Sequence, residues 1–416
     1  MKRSLAVLLV TTIMVSGCSC AISGGTEDST TASSSDETTT AATTTTEATT
    51  ATTSSEPSYV SSGYLEGLRI DKNNFFASDD SKYQDLIEHI EKISSSQNFK
   101  GSMILATEDG IILYGGPNNS LTTSGDPVDP FTVYEIGSVT KTFTAVVTMK
   151  LVEQGKISLD DKITKYFPDY KTGKDITVRN LLNMTSGIPD YVNNPFAFFG
   201  LSKADIKKYE DMYSVDGLPD EDFLNYMYAA PLDFEPGSKV DYSNSNYHLL
   251  AMIIEQVEGV SYSEAVTKYV FEPLAMEHSS ATKYGDETSV PDEAQGYHTF
   301  QFGARGAGDI HTCMADLLTF DKALIGGDLV SEGFLAVMED YQFGEYGCGL
   351  YPYGQRAYGH SGSVASYITQ NIVIESEKYG RVYFAASCPT IISEAGFTSL
   401  LKVLFKELDV DLGPSL

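Results

Sequence analysis

The sequence predicts an α+β fold, an antiparallel sheet flanked by helices with a mostly helical lobe inserted into it. Three observations predict it. Two short apolar runs, Ser102 to Thr107 and Ile111 to Tyr114, flank the turn Glu108-Asp109-Gly110 and read as a β-hairpin. A matching pair, Ser366 to Ile374 and Val382 to Ala386, flanks a turn at 377–380. Between the pairs the apolar spacing is helical. One sheet is therefore built from both ends of the chain, and the segment from about 138 to 300 forms the insert.

The N-terminus precedes this architecture. Lys2 and Arg3 open the chain, and the apolar run from Leu5 to Val15 is shorter than the ~20 residues a membrane span needs. It ends in Val15-Ser16-Gly17-Cys18, similar to a bacterial lipobox. Residues 1–20 are expected to be a lipoprotein signal peptide and lipobox, with Cys18 lipidated as the mature N-terminus. Two acyl chains on one residue anchor stably where a single chain is marginal. Residues 21–58 are almost wholly Thr, Ser, Ala and acid, without Lys or Arg. Such a segment has too little apolar surface to offset ordering entropy. A disordered tether is expected, with a root-mean-square span of roughly 30–40 Å. The chain is expected to be exported and lipid-anchored to the outer face of the bacterial cytoplasmic membrane. Cys18 would be its only membrane contact, and residues 59–416 its folded domain.

Within that domain, Tyr83, Leu86, Ile87, Ile90 and Ile93 recur at helical spacing. Thr142 to Gln154 reads as a buried helix stopped by Gly155, Val178 to Leu182 begins another, and Tyr247 to Val257 is a third, ended by Glu258-Gly259. Ile392 to Leu408 closes the chain as an amphipathic helix, with Phe397, Leu400, Leu401, Leu404 and Phe405 on one face.

The formal charge is −29, and about −25 of it belongs to the folded domain. Nucleic-acid binding needs a basic face, so that class of partner is excluded. Of five cysteines only Cys313, Cys348 and Cys388 lie in the domain, enough for one bridge at most. Neither H-E-x-x-H nor C-x-x-C occurs, and no metal site is expected.

Three motifs carry chemistry. Ser138-Val139-Thr140-Lys141 opens an apolar helix, where free N–H groups and the helix dipole favour developing negative charge. Lys141 lies one turn on, on the face of Ser138. A serine hydroxyl is a poor nucleophile near pH 7, so a positioned base is needed. Tyr242-Ser243-Asn244 is a loop entering a helix. Its phenol can relay a proton if Lys141 stabilises the phenolate, and its amide offers both donor and acceptor. His360-Ser361-Gly362 precedes the C-terminal hairpin, the setting of a sheet edge strand. Three look-alikes lack that context. Ser280 to Lys283 has no apolar helix behind it, Tyr191-Val192-Asn193 runs into Asn194-Pro195, and Lys171-Thr172-Gly173 sits in a polar loop ahead of Tyr242.

With these motifs in this order, the chain resembles the serine β-lactamase and penicillin-recognising enzyme superfamily, most closely its class C-like branch. Leu159 to Ile163, Leu181 to Asp190, Phe234 to Gly237 and Pro273 to Met276 are similar to further landmarks of that branch. The resemblance implies a β-lactamase/transpeptidase-like fold with the site between sheet and helical lobe. It implies Ser138 as acylated nucleophile, Lys141 and Tyr242 sharing the general-base role, and Asn244 holding the substrate amide. His360 would stand near a substrate carboxylate or polarise Tyr242, and Gly362 on the same strand would also bind the substrate. The backbone N–H groups of Ser138 and Ser363 would form the oxyanion hole.

No cofactor is implied. The expected function is an extracytoplasmic serine hydrolase of carboxypeptidase or esterase type. It would act on a small-molecule or peptide substrate, an amide or ester, with peptidoglycan and its D-amino-acid peptides as candidates. A β-lactamase, or a non-catalytic wall-binding protein keeping the fold, are the alternatives. Two departures stand out. Class C β-lactamases usually carry Lys where His360 stands, and Met184 occupies a position where many relatives have His.

Overall fold

Alternation along the strands places the sheet between two cores. In the strand Ser102–Thr107, Met103 and Leu105 enter one core while Ile104 and Ala106 enter the other, and all six residues are buried. A strand covered on both faces reads as a continuous apolar run, as this one does.

The computed structural model describes residues 75–194, 219–282 and 304–411, apart from 118–119, 123–124 and 365–366. It also describes Gly200 and a few positions between 58 and 70. The chain divides into Met1–Glu56 and Pro57–Leu416, and the described residues belong to the second unit. The expected signal peptide with Cys18, and the tether up to Pro57, lie outside the described residues.

Short strands β1 (Ser58–Tyr59) and β2 (Arg69–Ile70) pair with each other. The main sheet comprises β3 (Phe75–Ala77), β4 (Ser102–Thr107), β5 (Gly110–Gly115), β9 (Tyr351–Pro352), β10 (Ala357–Ser363), β11 (Tyr367–Ser376) and β12 (Gly380–Pro389). Its order is β3-β5-β4-β12-β11-β10-β9, antiparallel throughout. The seam between β4 and β12 joins the two ends of the chain, as the two hairpins predict. A smaller sheet runs in the order β6 (Tyr134–Glu135), β8 (Ile310–Thr312), β7 (Ser280–Ala281).

Helices α1 (Gln84–Ser96) and α9 (Thr390–Glu407) cover one face of the main sheet. There Leu86, Ile90, Leu400 and Leu404 meet Leu105, Ile372 and Phe384. Burying each such side chain contributes about 1.5–3 kcal/mol. The other face carries α2 (Thr140–Glu153), α3 (Val178–Leu182), α4 (Asp220–Ala229), α5 (Asn244–Glu258), α6 (Tyr262–Val266), α7 (Met314–Gly326) and α8 (Glu332–Met338). Helix α2 is buried almost all round. Its threonines are accommodated because Thr142 donates to the Gly349 carbonyl at 2.8 Å and Thr144 to that of Gly306 at 2.6 Å. Helix α5 starts at Asn244, three residues earlier than the apolar spacing predicts, and closes on Gly259 at a φ of 71°. Polar Asn244, Ser245 and Asn246 form its buried first turn, invisible to an apolar period.

Cys313, Cys348 and Cys388 are all buried free thiols. Among the described residues no helix is long and apolar enough to cross a membrane.

Candidate active site

The site lies where the start of α2, the start of α5 and strand β10 converge. Ser138 sits in a 3-10 turn, Gly137–Val139, that leads into α2. Gly137 has a φ of 52°, a conformation that favours glycine. The backbone of β10 then runs directly against this turn. A Cβ on Gly362 would lie 1.9 Å from the Ile136 carbonyl oxygen and 3.0 Å from the Ser138 nitrogen, so only glycine fits. A Cβ on Gly137 would in turn lie 3.1 Å from the nitrogen of Ser363.

The β10–β11 ladder orients that last N–H. Val364 donates to Tyr367 across the end of the hairpin, so Ser363, paired with Ile368, falls at a non-hydrogen-bonded position. Its N–H faces away from β11, beside Ser138. Strand β9 pairs only with Tyr358 and Gly359, which leaves the His360–Ser363 stretch as the edge the sequence predicts.

Ser138 Oγ has two partners. Lys141 Nζ lies 3.0 Å away and the Tyr242 hydroxyl donates to it at 2.9 Å. Lys141 is fully buried, and its amine also donates to Asn244 Oδ1 at 2.8 Å and to the Ala307 carbonyl at 2.7 Å. Burial lowers its pKa to about 7, opposed by the charges of Asp190 and Asp309. A buried ammonium is costly, so the amine gives up its proton far more readily than a surface lysine. Desolvation pushes the Tyr242 phenol well above its ordinary range, against the opposing hydrogen bond with Ser138. At neutral pH Tyr242 is therefore a proton donor.

Asn244 is held at both ends. Besides Lys141, its Nδ2 donates to the two carboxylate oxygens of Asp190 at 3.0 and 3.2 Å. The substrate contact implied for Asn244 meets an amide already occupied inside the protein. His360 is occupied too. Its Nδ1 lies 2.6 Å from the Ser361 carbonyl oxygen and Nε2 3.0 Å from the Tyr346 hydroxyl. A carbonyl only accepts, so Nδ1 carries the proton and Nε2 accepts from Tyr346. Burial and the neighbouring Lys141 lower its pKa to about 3, so the ring is neutral. Its centroid stands 6.3 Å from that of Tyr242. Both ring nitrogens are taken, by Tyr346 and by its own strand, rather than facing a substrate carboxylate or Tyr242.

Sequence reasoning missed Asp190, the Ala307 carbonyl and Tyr346. Asp190 lay within a landmark segment but carried no spacing signal, and a carbonyl carries none at all. Met184, flagged only as a departure, also belongs here. Its sulfur accepts from Ser243 N at 3.5 Å and Asn246 Nδ2 at 3.3 Å.

His278, Cys313 and Asp316 bring potential metal ligands within 4.8 Å of one another. The Asp316 carboxylate and the Cys313 thiol already serve the fold. Asp316 accepts from His278 N and Ser279 Oγ, and Cys313 Sγ accepts from Asp316 N at the start of α7. That helix end carries the positive pole of its dipole, a poor place for a cation.

A nucleophilic hydroxyl shared by a buried amine and a phenol, on an antiparallel sheet beside a helical lobe, defines the class as a serine hydrolase. The Beta-lactamase family model matches residues 85–390, and the chain belongs to that family. Penicillin-binding protein 4* of Bacillus subtilis (strain 168) is 31% identical over 264 residues, which cover 58% of this chain and 56% of that protein. Protein flp of Staphylococcus aureus (strain MW2) is 30% identical over 186 residues, 43% of this chain and 34% of that protein. The chain thus spans little more than half the length, or less, of these curated relatives.

Among solved structures, the penicillin-binding protein homologue from Pyrococcus abyssi is similar, with a TM-score of 0.61 at 27% identity over 82% of this chain and 79% of that one. The D-amino acid amidase from Ochrobactrum anthropi SV3 shares the fold, with a TM-score of 0.61 at 24% identity over 77% and 99%.

Proposed function

We propose that this chain is an extracytoplasmic serine hydrolase, anchored through lipidated Cys18, that forms an acyl-enzyme on Ser138 and hydrolyses an amide or ester. D-amino-acid peptides of the cell wall are the favoured substrates. The carrying observation is the sharing of Ser138 Oγ between Lys141 Nζ at 3.0 Å and Tyr242 at 2.9 Å.

Neutral Lys141 takes the Ser138 proton as Oγ attacks the carbonyl carbon. The N–H groups of Ser138 and Ser363 meet the oxyanion that develops. As the carbonyl re-forms, Tyr242 gives its proton to the leaving amine or alcohol and recovers one from Lys141. Water then releases the acyl group, with its proton going to the same base. The penicillin-binding relative at 31% identity supports the wall-peptide reading. The engaged, neutral His360 holds a substrate carboxylate less firmly than an ammonium would, which argues against efficient β-lactam turnover.

Intact mass after incubation with a reporter penicillin tests the reading. A lasting adduct, absent from Ser138→Ala, is the expected result and fits an enzyme acylated quickly and deacylated slowly. Turnover of the penicillin without an adduct would instead identify a β-lactamase. Activity on any substrate that survives Ser138→Ala would remove Ser138 as nucleophile.

A further inference from the structure

We propose that Asp190 is a positioning residue that aims the base: it orients the Asn244 amide, and the amide turns the lone pair of Lys141 onto Ser138. The inference rests on the acyl-enzyme reading and concerns how its base is held.

The argument is one of donors and acceptors. A neutral lysine amine has two N–H bonds and one lone pair. Its three partners are Asn244 Oδ1, the Ala307 carbonyl and Ser138 Oγ. The first two only accept, so they take both N–H bonds, and the lone pair faces the one partner with a proton to give. This holds only while Asn244 presents oxygen to Lys141. Turned over, its Nδ2 would claim the lone pair and leave Ser138 without a base.

Asp190 forbids the turn. Its carboxylate receives Asn244 Nδ2 on both oxygens, and a flipped amide would set Oδ1 against it. Among the described residues, each hydrogen bond to Asp190 comes from a nitrogen donor: Val192 N, Asn193 N, Asn193 Nδ2 and Asn244 Nδ2. Burial raises the Asp190 pKa above the ordinary carboxylate value, and these donors oppose it: a proton on the carboxyl would find no acceptor among them, so they favour the charged form. The loop itself is pinned to the first turn of α5. Ser245 Oγ donates to the Pro189 carbonyl at 2.6 Å and accepts from Tyr191 N at 3.2 Å.

Titratable groups surround Lys141 on every side. Asp190 lies beyond Asn244, Asp309 ahead of β8, Tyr242 and Tyr247 beside and on α5, and His360 on β10. The two aspartates are the charges that hold the ammonium up against burial.

A fluorophosphonate probe tests this, because Ser138 Oγ displaces fluoride from phosphorus while Lys141 takes the hydroxyl proton. Labelling rates of the full chain are measured against pH by intact mass for wild type, Ser138→Ala and Asp190→Asn. Expected for Asp190→Asn is a plateau rate lower by about tenfold to a hundredfold, from loss of alignment. Its acid-side midpoint also moves to lower pH, because a negative charge near the ammonium is gone. A lowered plateau with an unmoved midpoint would mean a merely structural loop residue and overturn the proposal. So would an unchanged plateau.

An Asn244→Leu background gives a second readout. There the plateau loss from Asp190→Asn should vanish, since the aspartate acts through the amide, and an additive loss overturns the inference. Should Asp190→Asn fail to fold, Asp190→Glu carries the test. It should keep the wild-type midpoint with a lowered plateau, and an unchanged plateau overturns the proposal. Wild type that does not label, or Ser138→Ala that does, would reject the nucleophile itself and is thereby distinguished.

Discussion

The thioether sulfur of Met184 accepts the backbone N–H of Ser243 at 3.5 Å, from a residue whose φ is 60°. Side chains other than glycine, asparagine, aspartate and histidine rarely occupy that region. Met184 therefore bears a local cost while bracing the turn that carries Tyr242 and Asn244. Met184→Leu keeps the volume but loses the acceptor, leaving two buried donors unmatched. Urea unfolding should show a loss of about 1–3 kcal/mol. Met184→His should recover most of it, because imidazole can accept a hydrogen bond and tolerates the backbone better.

The acid side of the kcat/KM profile should report Lys141. The base works only when unprotonated, so activity should rise with pH through about 7 and level off above it. His360, already neutral above about 3, adds nothing to that limb. Buried Asp309, pushed up to about 7, titrates in the same range, so Asp309→Asn is the control. The limb should persist in that variant.

Tyr242→Phe should separate two kinds of substrate. An amine leaving group needs a proton, whereas an activated phenolate does not. Amide hydrolysis should fall by about 10²–10⁴. Hydrolysis of a p-nitrophenyl ester, followed by absorbance, should fall much less. Equal losses would mean that Tyr242 does not serve the leaving group.

Gly362→Ala should damage every substrate alike. The new Cβ would press on the Ile136 carbonyl and displace β10 from the Ser138 turn. With the Ser363 N–H misplaced, kcat should fall by about 10²–10³ for amide and ester together.

Asp321 supplies a stability prediction away from the site. Its Oδ1 accepts from Asn371 Nδ2 at 2.7 Å, while Oδ2 has no hydrogen-bond partner among the described residues and lies at a small cavity between α7 and the sheet. Burial raises its pKa from 3.8 to about 8. The unfolded chain loses this proton near pH 4, the folded chain only near 8. Any stability linked to the proton is therefore full at low pH and lost progressively as pH rises between those values. Asp321→Asn should abolish that dependence. Its advantage in urea unfolding should grow from pH 4 to 8, reach a few kcal/mol, and stay constant above.

Much of this was legible because it is periodic or local. The two hairpins, the long buried helix behind Ser138 and the closing helix follow from apolar spacing and turn residues, to within two or three positions. The cluster of Ser138, Lys141, Tyr242 and Asn244 could be assembled on paper because each belongs to a short motif beside a helix start. Three kinds of feature left no such trace. The strands of the small sheet are two or three residues long and join positions 134, 280 and 310. The first turn of α5 is polar yet buried, which no apolar period reveals. Asp190 and the Ala307 carbonyl act through geometry across 54 and 166 residues of chain, measured from Asn244 and Lys141 respectively.

The seam between β4 and β12 has a consequence for how the chain acquires its structure. Residues 102–107 pair with 382–387, and α1 packs on α9, so the β4–β5 hairpin waits for a segment roughly 280 residues further along the chain. Loop closure over so long a separation is slow, and until then β4 presents an unsatisfied edge and bare apolar side chains. Ribosome-bound or C-terminally truncated chains lacking β12 should therefore be aggregation-prone and protease-sensitive. Assembly of the main sheet becomes a late event, timed by the emergence of β12.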